Sequence, residues 1–228
     1  MTGSAALAYR RAGFLRYAAI QYVVLTACAM AAYAGGTWFD PWTDRYELTG
    51  NFLSDLGMTH AFSGRTNYVS SALFVVAMAS IGAALVAFAW TWRGFAFQLG
   101  RARLAGHASM VFATASGLAF IGIGLAPLDV VLTLHNTLVV AAFSLLLGYV
   151  AAVTILMWCN EVSRARVAVN LCYLALVLGY VAMVLFGPRL GGTEHGHRVQ
   201  VIAQKAIAYG SMVHVLYLTT TTRRALTS

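Results

Sequence analysis

Six long apolar runs restrict this chain to one class of fold. They cover about 14–36, 68–92, 104–126, 131–158, 167–187 and 199–221. Each run has roughly the 20 residues that an α-helix needs to cross a lipid bilayer. None shows the alternation of apolar and polar residues that is typical of a transmembrane β-strand. Because backbone groups inside lipid must bond within their own segment, we expect six transmembrane helices.

The composition of the chain agrees with a membrane protein. Only 10% of its residues are charged, whereas about a quarter are charged in soluble domains. The sequence contains no internal repeat, phosphate-binding loop or dinucleotide fingerprint. We therefore expect a single all-α membrane domain over 1–228, built as a six-helix bundle.

The distribution of charge predicts how the bundle sits in the membrane, because basic residues favour the cytoplasmic side. With the N-terminus in the cytoplasm, ten of the fifteen Lys and Arg residues are cytoplasmic: Arg10, Arg11, Arg16, Arg93, Arg101, Arg103, Arg164, Arg166, Arg223 and Arg224. Six of the seven acidic residues then lie outside: Asp40, Asp44, Glu47, Asp55, Asp129 and Glu194. We predict a multi-pass protein of the cytoplasmic (inner) membrane with both termini inside. This arrangement explains the net charge of +8 without a nucleic-acid partner.

The first outer loop, 37–67, is long and rich in aromatic residues. These are Trp38, Phe39, Trp42, Tyr46, Phe52 and Phe62. Aromatic side chains at this density are typical of the lipid headgroup layer, so we expect the loop to cover the mouth of the bundle as a lid. Within it, Asn51 is predicted to cap a short helical turn through Ser54 and Asp55 that Gly57 ends.

Four polar clusters fall on or near the predicted outer face. The first three are Asn51, Ser54, Asp55 and His60; then Asp129, His135 and Asn136; then Thr193 to His197 in the last outer loop. The fourth is a stripe on the last helix formed by His197, Gln200, Gln204, Ser211 and His214. Such a stripe should face other helices or a wet cavity, because lipid would leave its donors unpaired. The predicted ligand-binding residues are Asn51, Ser54, Asp55, His135, Asn136, Gln200 and Gln204.

Two kinds of chemistry are open to these clusters. An imidazole and carboxylates on one face suit general acid–base catalysis, with His135, Asp55, Asp129 and Ser54 as the catalytic candidates. Zinc prefers histidine and carboxylate ligands. The candidates for a zinc site are His60, His135, His195 and His197. The favoured prediction is that no cofactor is bound, and zinc is kept as the alternative.

Two distinctive segments carry a resemblance to a known family. They are NFLSDLG at 51–57, and GLAPLD at 124–129 followed by LHN at 134–136. With the polar head of the last helix, they resemble the DUF998 family of prokaryotic integral membrane proteins, which is similar to the wider Frag1/DRAM/Sfk1 set. The likeness runs over roughly residues 15 to 220.

The resemblance implies a six-helix fold and directs attention to Ser54, Asp55, Asp129 and His135. The wider set is tied to lipid remodelling, lipid distribution and autophagy. Many of its members have an acidic residue in the outer half of the last helix, where this chain has Gln204. That difference weakens any acid–base role taken from the wider set.

Three functions remain open from the sequence. The favoured one is binding or organising a membrane lipid or other amphiphile in a cavity that faces the outer leaflet. The alternative is an intramembrane lipid-modifying enzyme, a hydrolase or acyltransferase, that uses His135 with Asp55 or Asp129. The third is a non-catalytic subunit that packs on a membrane-protein partner, or on a second copy of itself, through small residues such as Gly82.

Overall fold

The computed structural model describes residues 3–90, 102–188 and 192–227. Six α-helices account for most of these residues: α1 Gly3–Ala32, α2 Tyr68–Ala89, α3 Arg103–Leu125, α4 Leu132–Cys159, α5 Arg164–Phe186 and α6 Glu194–Thr227. Each contains a stretch long and apolar enough to cross a membrane. The described ranges contain no β-strand, only one isolated bridge between His60 and Thr66. The prediction of six helices of membrane-spanning length is confirmed.

Four helix ends differ from the sequence-based expectation by more than three residues. Two are extensions toward the chain termini, since α1 begins at Gly3 rather than near 14 and α6 ends at Thr227 rather than near 221. The helix α1 ends at Ala32 rather than near 36, because the chain reverses through Gly35 and Gly36, whose φ angles are +92° and +83°. The helix α6 begins at Glu194 rather than near 199, so His195 and His197 lie in its first turn and not in a loop. The predicted second helix extended to 92, and residues 91 and 92 lie outside the described part of the chain.

The helices form a ring in chain order. Each helix packs on the next one, and α6 packs on α1 to complete the ring. The helices α2 and α3 pack closely where Gly82 and Gly117 each face the carbonyl oxygen of the other. A side chain at either position would collide with the opposite backbone, which is why small residues occupy this contact. Gly82, considered above for a partner surface, thus packs within its own chain.

A short 3₁₀ helix, Leu53–Gly57, closes one end of the ring. All five of its residues are buried, and it contacts α1, α2 and α6. Its carbonyl oxygens accept hydrogen bonds from the start of α2 and the residue before it: Leu56 accepts from Asn67 and Ser70, and Gly57 accepts from Ser71. We call residues 33–67 the lid segment and this end of the ring the lid end.

The outward surface of the ring is apolar. Val111, Leu118, Leu178 and Val213 each leave more than half of their surface exposed. Exposed apolar side chains on helices from around the ring are what lipid contact requires.

Candidate functional site

A cavity of about 100 Å³ lies at the centre of the ring. Side chains from all six helices and from the 3₁₀ helix line it, and most are apolar, including Tyr22, Phe74, Phe120, Phe143, Ala208 and Val215. Among the described residues, none that lines it is Asp, Glu, Lys or Arg. The cavity is therefore suited to a hydrocarbon group, with specificity left to the few polar groups at its ends.

The lid end of the cavity presents two polar side chains, Ser54 and Gln204. The Gln204 side-chain oxygen accepts a hydrogen bond from the Leu53 backbone N–H at 2.7 Å. Ser54 is 7% exposed, and its hydroxyl has no hydrogen-bond partner among the described residues. A ligand in the cavity can therefore bond to Ser54 without displacing a protein group.

The opposite end of the cavity carries a polar cluster from α5 and α6. The Tyr173 hydroxyl donates to Oγ of Ser211 at 2.8 Å, and Ser211 donates to the carbonyl of Ile207. The His214 ring stacks on Tyr173 with 3.9 Å between ring centroids. Nε2 of His214 lies 3.1 Å from Oδ1 of Asn170. Tyr173, Ser211 and His214 all line the cavity.

Asn51 holds the lid segment together instead of capping the 3₁₀ helix. Its Nδ2 donates to the carbonyl of Gly36 at 2.9 Å and to Oδ2 of Asp55 at 3.2 Å, and its Oδ1 accepts from the Glu47 backbone N–H at 2.9 Å. The residue before the 3₁₀ helix is Phe52, so the predicted cap by Asn51 is wrong. With every side-chain group engaged and no surface exposed, Asn51 acts as a structural cross-link.

Asp55 is fully buried beside Asn51. Its Oδ2 also accepts from the Phe52 backbone N–H at 2.8 Å, while Oδ1 has no partner among the described residues. Burial raises the pKa of Asp55 to about 7, although the hydrogen bonds from Asn51 and Phe52 and the charge of Lys205 act in the opposite direction. The carboxyl group does not line the cavity, so its role is to stabilise the lid segment through these hydrogen bonds.

Asp129 fastens the turn between α3 and α4 to the lid segment. Its carboxylate accepts hydrogen bonds from the Thr59 hydroxyl at 2.6 Å and from the backbone N–H groups of Thr59 and His60 at 3.0 Å. Partial burial acts to raise the pKa of Asp129, but these hydrogen bonds outweigh it and hold the pKa below its usual range. The carboxylate is engaged with the lid segment, and no hydrogen bond joins it to His135 among the described residues.

His135 connects α4 to the end of α3. Its Nδ1 lies 2.7 Å from the carbonyl oxygen of Ala126, and its Nε2 has no partner among the described residues. Neither His135 nor the half-buried Asn136 lines the cavity. Gln200 donates to the carbonyl of Pro188. Of the seven predicted ligand-binding residues, only Ser54 and Gln204 line the cavity.

Three of the four predicted zinc candidates have different hydrogen-bond partners, and the fourth, His195, is exposed in the first turn of α6. His60 pairs with the Thr59 hydroxyl, His135 with Ala126 and His197 with the carbonyl of Gly50 at 2.9 Å. In residues 3–90, 102–188 and 192–227, no three His, Cys, Asp or Glu side chains are grouped to hold a metal ion.

Tyr173 is one of three tyrosines that line the cavity, with Tyr22 and Tyr149, and that were not predicted as site residues from the sequence. It lies in an apolar helix, where a tyrosine is easily taken for part of the core. Asn170 precedes it by three residues, and residues three apart share one helix face. From that spacing, a polar face on α5 that packs against the polar stripe of α6 could have been predicted.

The fold and the cavity define a multi-pass helical membrane protein with a central, mostly apolar chamber. A scan against protein-family models, a search of curated proteins and a search of solved structures each find no match to this chain. The geometry of the cavity therefore carries the functional argument.

Proposed function

We propose that this chain is a multi-pass membrane protein of the DUF998 type that binds a lipid or other amphiphile in its central cavity. The observation that carries the proposal is the combination of apolar walls with an unpaired hydroxyl, Ser54, at the lid end. An amphiphile has the matching parts, a hydrocarbon chain and a polar group at one end of it.

We further propose that the lid end faces the outer leaflet of the inner membrane. The support is the charge distribution, since ten of the fifteen basic residues then lie in the cytoplasm. An even number of helices places both termini on that same side.

Recognition inside a membrane depends on polar contacts and shape more than on hydrophobicity. A lipid chain that leaves the bilayer for an apolar cavity moves between two similar solvents, so the transfer contributes little. Ser54 and Gln204 therefore supply the specificity, because they are the polar side chains at the lid end of the cavity.

The hydrolase or acyltransferase alternative draws no support from this geometry. His135, Asp55 and Asp129 do not line the cavity, and each is engaged with different partners. A catalytic acid and base need to reach one reacting group.

The experiment compares lipids that remain bound to the purified protein with lipids of the host membrane, by native mass spectrometry and lipidomics. We expect one amphiphile class to be enriched. Ala208 is buried and lines the cavity, whereas Ala206 is exposed on the same helix. Ala208→Phe should therefore obstruct the cavity and remove most of the bound amphiphile, and Ala206→Phe should retain it. Equal retention by the two variants, or no enrichment in the wild-type protein, would overturn the proposal.

A further inference from the structure

The hydrogen bonds around Asn170 fix the orientation of its side-chain amide. The Thr154 hydroxyl donates to the carbonyl of Val150 at 2.8 Å, so the Thr154 oxygen is available as an acceptor. The Asn170 amide lies 2.7 Å from that oxygen and is therefore placed with its NH₂ group on Thr154. The carbonyl oxygen of Asn170 is left to face His214.

This orientation determines which nitrogen of His214 carries the hydrogen. The Asn170 oxygen is an acceptor only, so Nε2 of His214, 3.1 Å away, must be the donor. In a neutral imidazole the other nitrogen is then an acceptor. His214 lines the cavity, and its Nδ1 has no hydrogen-bond partner among the described residues. A residue of the cavity wall thus carries an acceptor that lacks a donor among the described residues, and an acceptor in apolar surroundings is stabilised when one is supplied.

The charge of the cavity restricts what can supply that donor. The described lining residues include no Asp, Glu, Lys or Arg, and the nearby Asp55 and Lys205 are engaged within the lid network. An ionised group would therefore be buried without a counter-charge, which is strongly unfavourable. An uncharged hydroxyl is the simplest donor that fits.

The position of His214 places this acceptor far from the lid end. Gln204 and His214 are ten residues apart in α6, which corresponds to about 15 Å along the helix. Ser54 and Gln204 at the lid end suit the polar head of an amphiphile, so a group that reaches His214 belongs to its chain.

We infer that the cavity takes an uncharged amphiphile whose hydrocarbon chain carries a hydroxyl group, and that this hydroxyl donates a hydrogen bond to Nδ1 of His214. The inference rests on the proposed function and names the class of ligand. Ser54 and Gln204 bind the head of the ligand, and His214 distinguishes a hydroxylated chain from a plain one.

The test uses two uncharged probes, ricinoleoyl glycerol and oleoyl glycerol, which differ by one hydroxyl in the middle of the chain. Each is titrated into the full-length protein in detergent, and binding is measured by native mass spectrometry. A single added hydrogen bond should make the ricinoleoyl compound bind about fivefold more tightly.

A matched pair of variants tests whether His214 causes the preference for the hydroxylated probe. His214→Phe keeps an aromatic ring against Tyr173 and removes the acceptor, so the two probes should bind equally, with oleoyl glycerol retained. His195→Phe is the same substitution at an exposed position near the start of the same helix, and it should keep the preference.

The outcomes separate the two levels of the argument. Failure of the wild-type protein to bind either probe would overturn this inference, whereas the proposed function would be overturned only if no amphiphile is enriched in the purified protein. Equal binding of both probes by the wild-type protein would overturn the inference alone, and would indicate that water or nothing bonds to His214. If His214→Phe does not fold, the comparison of the two probes on the wild-type protein still tests the inference.

Discussion

The side-chain ammonium of Lys205 in α6 donates a hydrogen bond to the backbone carbonyl oxygen of Asn51 in the lid segment. The same oxygen accepts from the Tyr46 hydroxyl at 3.0 Å, and the Asn51 side chain holds Asp55. One asparagine thereby connects the last helix, the lid segment and the carboxyl group behind the 3₁₀ helix.

Replacing Lys205 should loosen this connection. Lys205→Met keeps a similar length but removes the donor, and loss of a buried hydrogen bond from a charged group costs about 1–3 kcal/mol. For a chain of this size we expect the melting temperature to fall by about 2–4 °C for each kcal/mol. Thermal unfolding of detergent-purified protein, followed by intrinsic fluorescence, measures the change.

Arg198→Met is the control for Lys205. Arg198 forms an exposed ion pair with Glu194, and such pairs contribute at most about 1 kcal/mol. A Lys205 variant as stable as the Arg198 variant would contradict the structural role of the lid contact.

Asp55 should make the stability of the protein depend on pH. Its pKa is about 7 in the folded protein against an ordinary 3.8, so the folded state binds this proton more tightly than the unfolded state. The contribution of the group is fully present below about 3.8 and is lost as pH rises through about 7. Asp55→Asn keeps acceptors for Asn51 and Phe52 without the charge, so it should raise the melting temperature at pH 8 and flatten the profile between pH 4 and 8. The same slope in both proteins would assign the dependence to other groups.

Asp129→Ala should release the part of the lid segment around Thr59 without unfolding the helices. The substitution removes acceptors from the hydroxyl of Thr59 and from two backbone N–H groups. Hydrogen–deuterium exchange should become faster at the amides of Thr59 and His60, while α2 remains protected. Asp44→Ala provides the control, because Asp44 is almost fully exposed and its ion pair with Arg65 is long, at 4.0 Å. Unchanged exchange in Asp129→Ala would show that the turn does not restrain the lid segment.

Ser54 and Ser70 form a pair that separates binding from stability. The Ser54 hydroxyl lines the cavity, whereas the Ser70 hydroxyl donates to the carbonyl of Leu56 at 3.1 Å. Ser54→Ala should weaken oleoyl glycerol binding about fivefold with little change in melting temperature. Ser70→Ala should lower the melting temperature and leave the affinity unchanged. If Ser54→Ala instead left the affinity unchanged and Ser70→Ala weakened it, the ligand head would not bind at Ser54.

The helices were predictable because a segment that crosses lipid must satisfy its backbone hydrogen bonds within itself, whatever it packs against. A run of about 20 apolar residues is sufficient to indicate a spanning helix. Hydropathy alone does not reveal a helix end that is polar. The sequence therefore predicts a loop where the first turn of α6 lies, with Glu194, His195 and His197.

The partners of the site residues could not be predicted in the same way. Asp129 and His135 are close in the sequence, yet one binds Thr59 and the other binds Ala126. These choices depend on where the lid segment lies against the turn between α3 and α4, which is a tertiary relationship. Ser54 and Gln204 are among the ligand-binding residues predicted from the sequence, but only the ring of helices explains why these two line the cavity.

The buried 3₁₀ helix has a consequence for how anything enters the protein. Opening the cavity through the lid segment would expose Leu53 and Leu56 and break the hydrogen bonds to Asn67 and Ser70. The packing between α5 and α6 is less extensive than that between α3 and α4, and Tyr173 and His214 lie along this seam. Lateral entry from the bilayer at this seam would leave the contacts of the lid segment intact. Occupancy would then follow the mole fraction of the ligand in the membrane, and its concentration in the surrounding solution would matter little.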